Sequence, residues 1–138
     1  MEMNQNKEDF TAVLVIVDGV PNENKHIYSH ETNFKLPEKC FLFGSNKNIT
    51  DFTDVIGQGE IKIESDRIIG DFSFISKERR YAIEQLLNKG IKIYAVPSFT
   101  GRLSGDGIVT EAVLGAVFLS DSHADPRIEP IRFLEELK

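Results

Sequence analysis

The chain has 138 residues, 41% of them apolar, and a net charge of −6. That length suits one domain around one core, and the apolar share is too high for a disordered chain. The acidic balance argues against broad binding to nucleic-acid phosphates, which needs clustered Lys and Arg, because the basic residues are scattered and Arg79-Arg80 is the only arginine pair. No apolar run reaches the roughly 18 residues that read as a membrane-spanning helix. The first ten residues are polar and acidic and read as neither a signal nor a transit peptide. Cys40 is the only cysteine, so no intrachain disulfide can form and a reducing compartment is expected. Between Lys39 and Phe41 it reads as a small buried hydrophobe rather than a catalytic thiol.

In chain order, residues 1–9 form a polar lead with only Met1 and Met3 hydrophobic. Phe10 to Val17 is a continuous, Val-rich apolar run, the pattern of a buried strand. Asp18-Gly19 and Pro21-Asn22-Glu23-Asn24 form a loop. Residues 25–37 are mixed polar and end at Pro37. Lys39 to Phe43 is a short strand, and Ser45 to Asp54 a polar loop. Glu60 to Glu64 alternates strictly, the period of a half-buried strand. Ser65-Asp66-Arg67 turns the chain, and Ile68 to Ile75 runs back as the other arm of a hairpin. One principal helix is predicted at about 77–89. Ser76 is its N-cap, Glu78 suits the positive end of its dipole, and Gly90 follows as the C′ residue. Ile83, Leu86 and Leu87 share its apolar face, to be covered by Phe72 and Phe74. Strands follow at 91–99, about 107–113 and 114–120, and residues 131–138 are read as a short helix. There is no repeat, linker or low-complexity tract.

The chemistry-bearing residues each admit two readings. Ser98, at a strand end after Pro97, has the placement of a nucleophile, but a serine needs an aligned base and otherwise is an ordinary strand-end residue. His123 lies in an Asp-Ser-His-Ala-Asp loop, where a lone imidazole is usually solvated. Asp121, His123 and Asp125 are metal-ligand types at period-2 spacing, yet Pro126 and the loop composition argue against an ordered strand there. His26 and His30 are four apart, the helical spacing of a metal pair, in a segment that reads as loop. Gly101 to Gly107 is Gly-rich but lacks the Gly-Lys-Ser/Thr ending of a phosphate loop, and a hairpin turn is the simpler account. No cofactor and no metal are called.

Four stretches, taken in order, resemble the tailed-phage prohead (capsid maturation) protease family, related to herpesvirus assemblin. They are Val17 to Tyr28; Phe41 to Gly44 followed by Val55-Ile56-Gly57; the strand ending at Ser98; and the run from Leu114 to Ile128. The likeness spans roughly residues 12–130. The resemblance implies an α+β, mostly β fold: a small β-barrel-like single domain with one principal helix. It also implies Ser98 as nucleophile, with His123, or a His from the 26–30 segment, as base, and backbone N–H groups near Arg102 as an oxyanion hole. Against it, Ser45-Asn46-Lys47-Asn48 stands where the family keeps a catalytic His, and Gly115 where it keeps an acidic residue.

The function implied is that of a phage virion structural protein, an auxiliary or decoration subunit with a degenerate protease fold that binds the major capsid protein. It would be assembled in the bacterial cytoplasm, with no nucleic acid or membrane partner. An active maturation protease using Ser98 is the alternative. Phe41, Phe43, Phe52, Phe72, Phe74 and Phe99 are expected in the core, with an exposed pair marking an interface. Both termini are expected to be held by other chains.

Overall fold

Apolar alternation and turn chemistry place most strands where the sequence puts them. A computed structural model describes residues 8–44 and 55–134. In chain order the elements are β1 (Phe10–Ile16), β2 (Asn33–Lys35), β3 (Lys39–Phe43), β4 (Val55–Glu64), β5 (Arg67–Phe74), α1 (Lys77–Asn88), β6 (Tyr94–Leu103) and β7 (Val109–Ser120). All seven strands belong to one mixed sheet, ordered β1-β5-β4-β3-β7-β2, with β6 on the other edge of β7. The fold is α+β and mostly β, with one helix among the described residues.

The barrel-like expectation takes the form of an open sheet. β1 and β6 come back toward each other, but no ladder joins them among the described residues. β7 is the organising strand. β6 runs antiparallel along one edge, while β2 and then β3 pair in parallel along the other. No helix among the described residues is long and apolar enough to cross a membrane.

The β4–β5 hairpin is antiparallel, with eight paired positions from Gly57↔Phe74 to Glu64↔Arg67. Phe72 is fully buried and lies over Gly59 and Gly70, where an added Cβ would meet its ring. The pleat alternates as read, but the core does not reach the hairpin tip. Ile61 packs against the core, whereas Ile63 is 58% exposed.

α1 begins at Ser76, whose Oγ accepts from the Arg79 N–H at 3.2 Å. It ends ahead of Gly90, whose φ of +86° is the left-handed conformation of a C′ residue. Ile83 is fully buried, with Leu86 and Leu87 packed against the core. Arg80 ties the helix to the start of β1. Its Nε is 2.7 Å from Asp9 Oδ1, and Asp9 Oδ2 accepts from the Phe74 N–H at 2.8 Å.

Several expectations change. β2 falls in the stretch read only as mixed polar, because three residues with one apolar centre carry no periodic signal. The strands placed at 107–113 and 114–120 are one strand, β7, with a bulge between Leu114 and Ala116, opposite Phe99 and Ser98. The 131–138 helix does not form over its described part. Residues 131–134 are irregular, with the Ile131 N–H bonded to the Ile93 carbonyl (2.7 Å) and the Leu134 N–H to the Asp9 carbonyl (2.9 Å); residues 135–138 lie outside the described residues. At both described ends the contacts come from the chain's own core: Phe133 packs on Phe10 and Phe74, with centroids 6.3 and 5.6 Å apart. Residues 1–7 lie outside the described residues. Of the phenylalanines expected in the core, Phe72 is buried, Phe74 and Phe99 pack against the core, and Phe43 stacks on Phe118 at 5.3 Å. Phe41 is 56% exposed, and Phe52 lies outside the described residues.

Candidate functional site

Ser98 sits in β6 opposite Ala116 of β7 and is exposed. Its strand places it beside Gly115, the residue that bulges out of the β6–β7 register: a Cβ at position 115 would lie 3.8 Å from the Ser98 carbonyl oxygen. On the other edge of β7, Phe43 of β3 pairs with Phe118. Three adjacent strands therefore carry the Ser98 position, position 115 and the strand end preceding the Ser45-Asn46-Lys47-Asn48 stretch. Those four residues lie outside the described residues. Among the described residues no side chain hydrogen-bonds the Ser98 hydroxyl. Among the described residues no base is bonded to it, and an unassisted serine is almost entirely protonated at neutral pH.

His123 is occupied. Its Nε2 lies 3.1 Å from the Leu14 carbonyl, and its Nδ1 accepts from the Asp125 N–H at 3.0 Å. A carbonyl can only accept and an amide N–H can only donate, so the ring is the neutral tautomer with its proton on Nε2. Burial pushes its pKa below the usual histidine value, opposed by the Leu14 hydrogen bond and the Asp125 charge. The Leu14 carbonyl belongs to the residue skipped where the β1–β5 register shifts between Val13 and Val15. His123 thus serves a backbone acceptor at a bulge, a structural task that uses both ring nitrogens.

The strongest electrostatic cluster is one that the sequence did not announce. Arg127 bridges two carboxylates. Its Nε and Nη2 bond to Asp125 at 3.0 and 2.8 Å, and its Nη1 bonds to Asp18 Oδ2 at 2.6 Å. The guanidinium holds both carboxyls below the usual aspartate value. Asp125 is buried, and its Oδ1 also accepts the Arg127 N–H at 3.0 Å. Nearby, the Glu23 N–H bonds to the Ala124 carbonyl at 2.8 Å. The cluster pins the loop after β1 to the segment after β7. Asp125-Pro126-Arg127 is a local turn signal in sequence, but its partner Asp18 is far away in the chain, and no local pattern points to it.

The remaining candidates separate. His26 and His30 are not on a helix. They border different cavities, His26 one of about 110 Å³ shared with His123, and His30 another beside Ser29 and Thr32. Of Asp121, His123 and Asp125, the His123 ring nitrogens and the Asp125 carboxylate are committed as described. Among the described residues no three His, Cys, Asp or Glu are grouped to hold a metal ion. Arg102 lies within β6 rather than in a loop. The Gly-rich segment closes the β6–β7 hairpin: the Ser104 N–H bonds to the Ile108 carbonyl at 2.8 Å, and Gly107 takes a φ of +89°. Cys40 is buried, and burial pushes its thiol pKa up, the state of an unreactive thiol.

No family model, no curated protein and no solved structure matches this chain.

Proposed function

We propose that this chain is a non-catalytic structural protein of a phage virion, an auxiliary or decoration subunit with a degenerate prohead-protease fold that binds the major capsid protein. One observation carries the reading. Ser98, position 115 and the end of β3 ride on adjacent strands, as the prohead-protease resemblance requires of a catalytic group. Yet glycine fills position 115, the residues after Gly44 include no histidine before Thr50, and His123 is spent on Leu14 and Asp125. A serine on these strands with no base bonded to it among the described residues would suit a module that kept recognition and lost hydrolysis. Exposed Phe41 on β3 adds an apolar contact point of the kind that repeated lattice binding uses.

The test is made on particles. The protein is expected in purified virions at a fixed ratio to the major capsid protein. Co-expression of the two should leave the mass of the capsid protein unchanged. Absence from particles overturns the virion assignment. Labelling of Ser98 by a fluorophosphonate probe, together with loss of capsid-protein cleavage in Ser98→Ala, would establish the maturation protease instead.

A further inference from the structure

α1 and the segment at residues 130–134 stand apart, leaving a groove of about 910 Å³. Its lining mixes polar and apolar side chains. Leu87 and Phe133 are half-buried, while Ile91 and Leu134 remain 37% and 47% exposed, two large hydrophobic side chains left facing water in one concavity. Its charge is mixed in composition but not in availability. Arg80 is turned inward onto Asp9 and over the Phe133 ring, 4.6 Å from its centroid, and Glu84 lies 3.6 Å from the same guanidinium. Lys92 and Arg132 are exposed, and neither has an ion pair among the described residues. The uncommitted charge in the groove is therefore positive, on a chain whose net charge is −6.

The backbone adds a direction. Ile131 and Leu134 spend their N–H groups on Ile93 and Asp9, whereas the Arg132 and Phe133 N–H groups have no backbone acceptor among the described residues. Backbone donors in the wall favour an occupant that offers carbonyls or carboxylates. Nucleic acid fits poorly, since stacking needs an open aromatic face and the one ring in the groove is already covered by Arg80.

We propose that this groove docks an extended peptide segment of another protein, one carrying carboxylates flanked by apolar anchors. The carboxylates would meet Lys92 and Arg132, and the anchors would cover Ile91 and Leu134. The proposal is independent of the virion assignment, because it concerns the groove alone and would hold for a binding module in any setting.

The test selects short random peptides, displayed on particles, against the whole chain. Enriched sequences are expected to be rich in Asp and Glu with two or more large apolar residues. Their binding should weaken as salt rises and fall about tenfold or more in Lys92→Glu/Arg132→Glu, the size of a charge-pair loss at an interface. Both positions are exposed, so the variant should fold, and an unchanged melting curve checks that. Ile91→Ser keeps the charge and removes one anchor, and should weaken binding by a similar factor. Any of these results overturns the proposal: no enrichment; enriched peptides without acidic bias; equal binding to wild type and the charge-reversed variant; or equal competition by a single-stranded oligonucleotide. Concentration-dependent dimerisation abolished by Lys92→Glu/Arg132→Glu also overturns it, assigning the groove to a second copy.

Discussion

The β4–β5 hairpin and the β1–β6 seam face the same problem, the free hydrogen-bonding edge of a strand, and meet it with different parts of the chain. In the hairpin, eight consecutive pairs satisfy the backbone, and one aromatic, Phe72, covers two glycines from its own and the facing strand. Everything needed lies within about twenty residues of sequence. At the seam no ladder forms among the described residues. Around β1 the Leu14 carbonyl is served by His123, the following loop is clamped by Arg127 through Asp18 and Asp125, and Asp9 is bonded by Leu134 and Arg80. Local order is held by backbone and packing. Beside the seam, segments distant in the sequence are tied by a few polar side chains, each with a specific partner. The hairpin should therefore answer to volume and the seam to charge and pH.

The largest effect is expected in the hairpin core. Phe72→Ala removes a fully buried ring that also stacks on Phe10 at 5.2 Å, and should cost about 3–5 kcal/mol in urea or thermal unfolding. Gly59→Ala tests the same packing from the other side. An added methyl meets the Phe72 ring, and the overpacking should cost about 1–3 kcal/mol. A neutral or stabilising Gly59→Ala would mean that the ring is free to move, and the hairpin would not be the rigid half of the comparison.

Arg127→Ala should be next. It leaves the buried Asp125 carboxylate without its bidentate partner and releases Asp18. Because Arg127 is 38% exposed, solvent replaces part of the loss, and about 1–2 kcal/mol is expected at pH 7. Both carboxyls have lowered pKa values, so their contribution is complete above the ordinary aspartate value of 3.8 and is lost as the pH falls through their folded values. The difference between wild type and Arg127→Ala should therefore shrink in acid, when stability is followed against pH.

The legibility of this chain follows the same division. The hairpin and α1 were readable because their determinants are near in sequence: strict alternation from Glu60 to Glu64, a Ser76 cap, one apolar stripe and Gly90. β7 was misread as two strands because the bulge at Gly115 shifts the phase of its buried face. Leu114 and Val117 both point inward, and the run from Val113 to Leu119 looks continuous instead of alternating. β2 is too short to carry a period. Of the site, Ser98 lies on a strand as read, but within it rather than at its end, because β6 runs on to Leu103, and the partner expected for it, His123, bonds to Leu14 and Asp125. Asp18, Asp125 and Arg127 could not be joined by inspection, since no period links a turn after the first strand to a turn after the last.

His123 gives the third test. His123→Gln should cost about 1 kcal/mol at pH 7, the loss of one well-placed hydrogen bond. The sign of the pH dependence matters more. Burial lowers the folded pKa below the ordinary 6.5, so the neutral ring stabilises the fold fully above that value and progressively less as the pH falls through the folded pKa. Protonation would also set a second ring N–H against the Asp125 N–H. Wild type should lose stability from pH 6.5 downward, and His123→Gln should lack that part of the slope. An unchanged slope would remove the imidazole from the seam's closure.

The smallest expected effect is the sharpest control. Arg102 and Glu111 lie on paired strands, with Arg102 Nε 3.8 Å from Glu111 Oε1, and the Arg102 side chain is 82% exposed. It is an arginine–carboxylate contact like that of Arg127, but placed where the backbone ladder already joins β6 to β7. Exposed pairs of this geometry contribute little, because water and salt compete for both charges and the arginine side chain loses freedom. Arg102→Ala should therefore shift stability by less than about 0.5 kcal/mol, measured alongside Arg127→Ala in the same buffer. If the two substitutions cost the same, the seam has no special dependence on its ion pairs, and closure must come from the packing of Phe10, Phe74 and Phe133 around Arg80. If Arg127→Ala costs clearly more, the difference measures what a side-chain clamp contributes where no ladder forms.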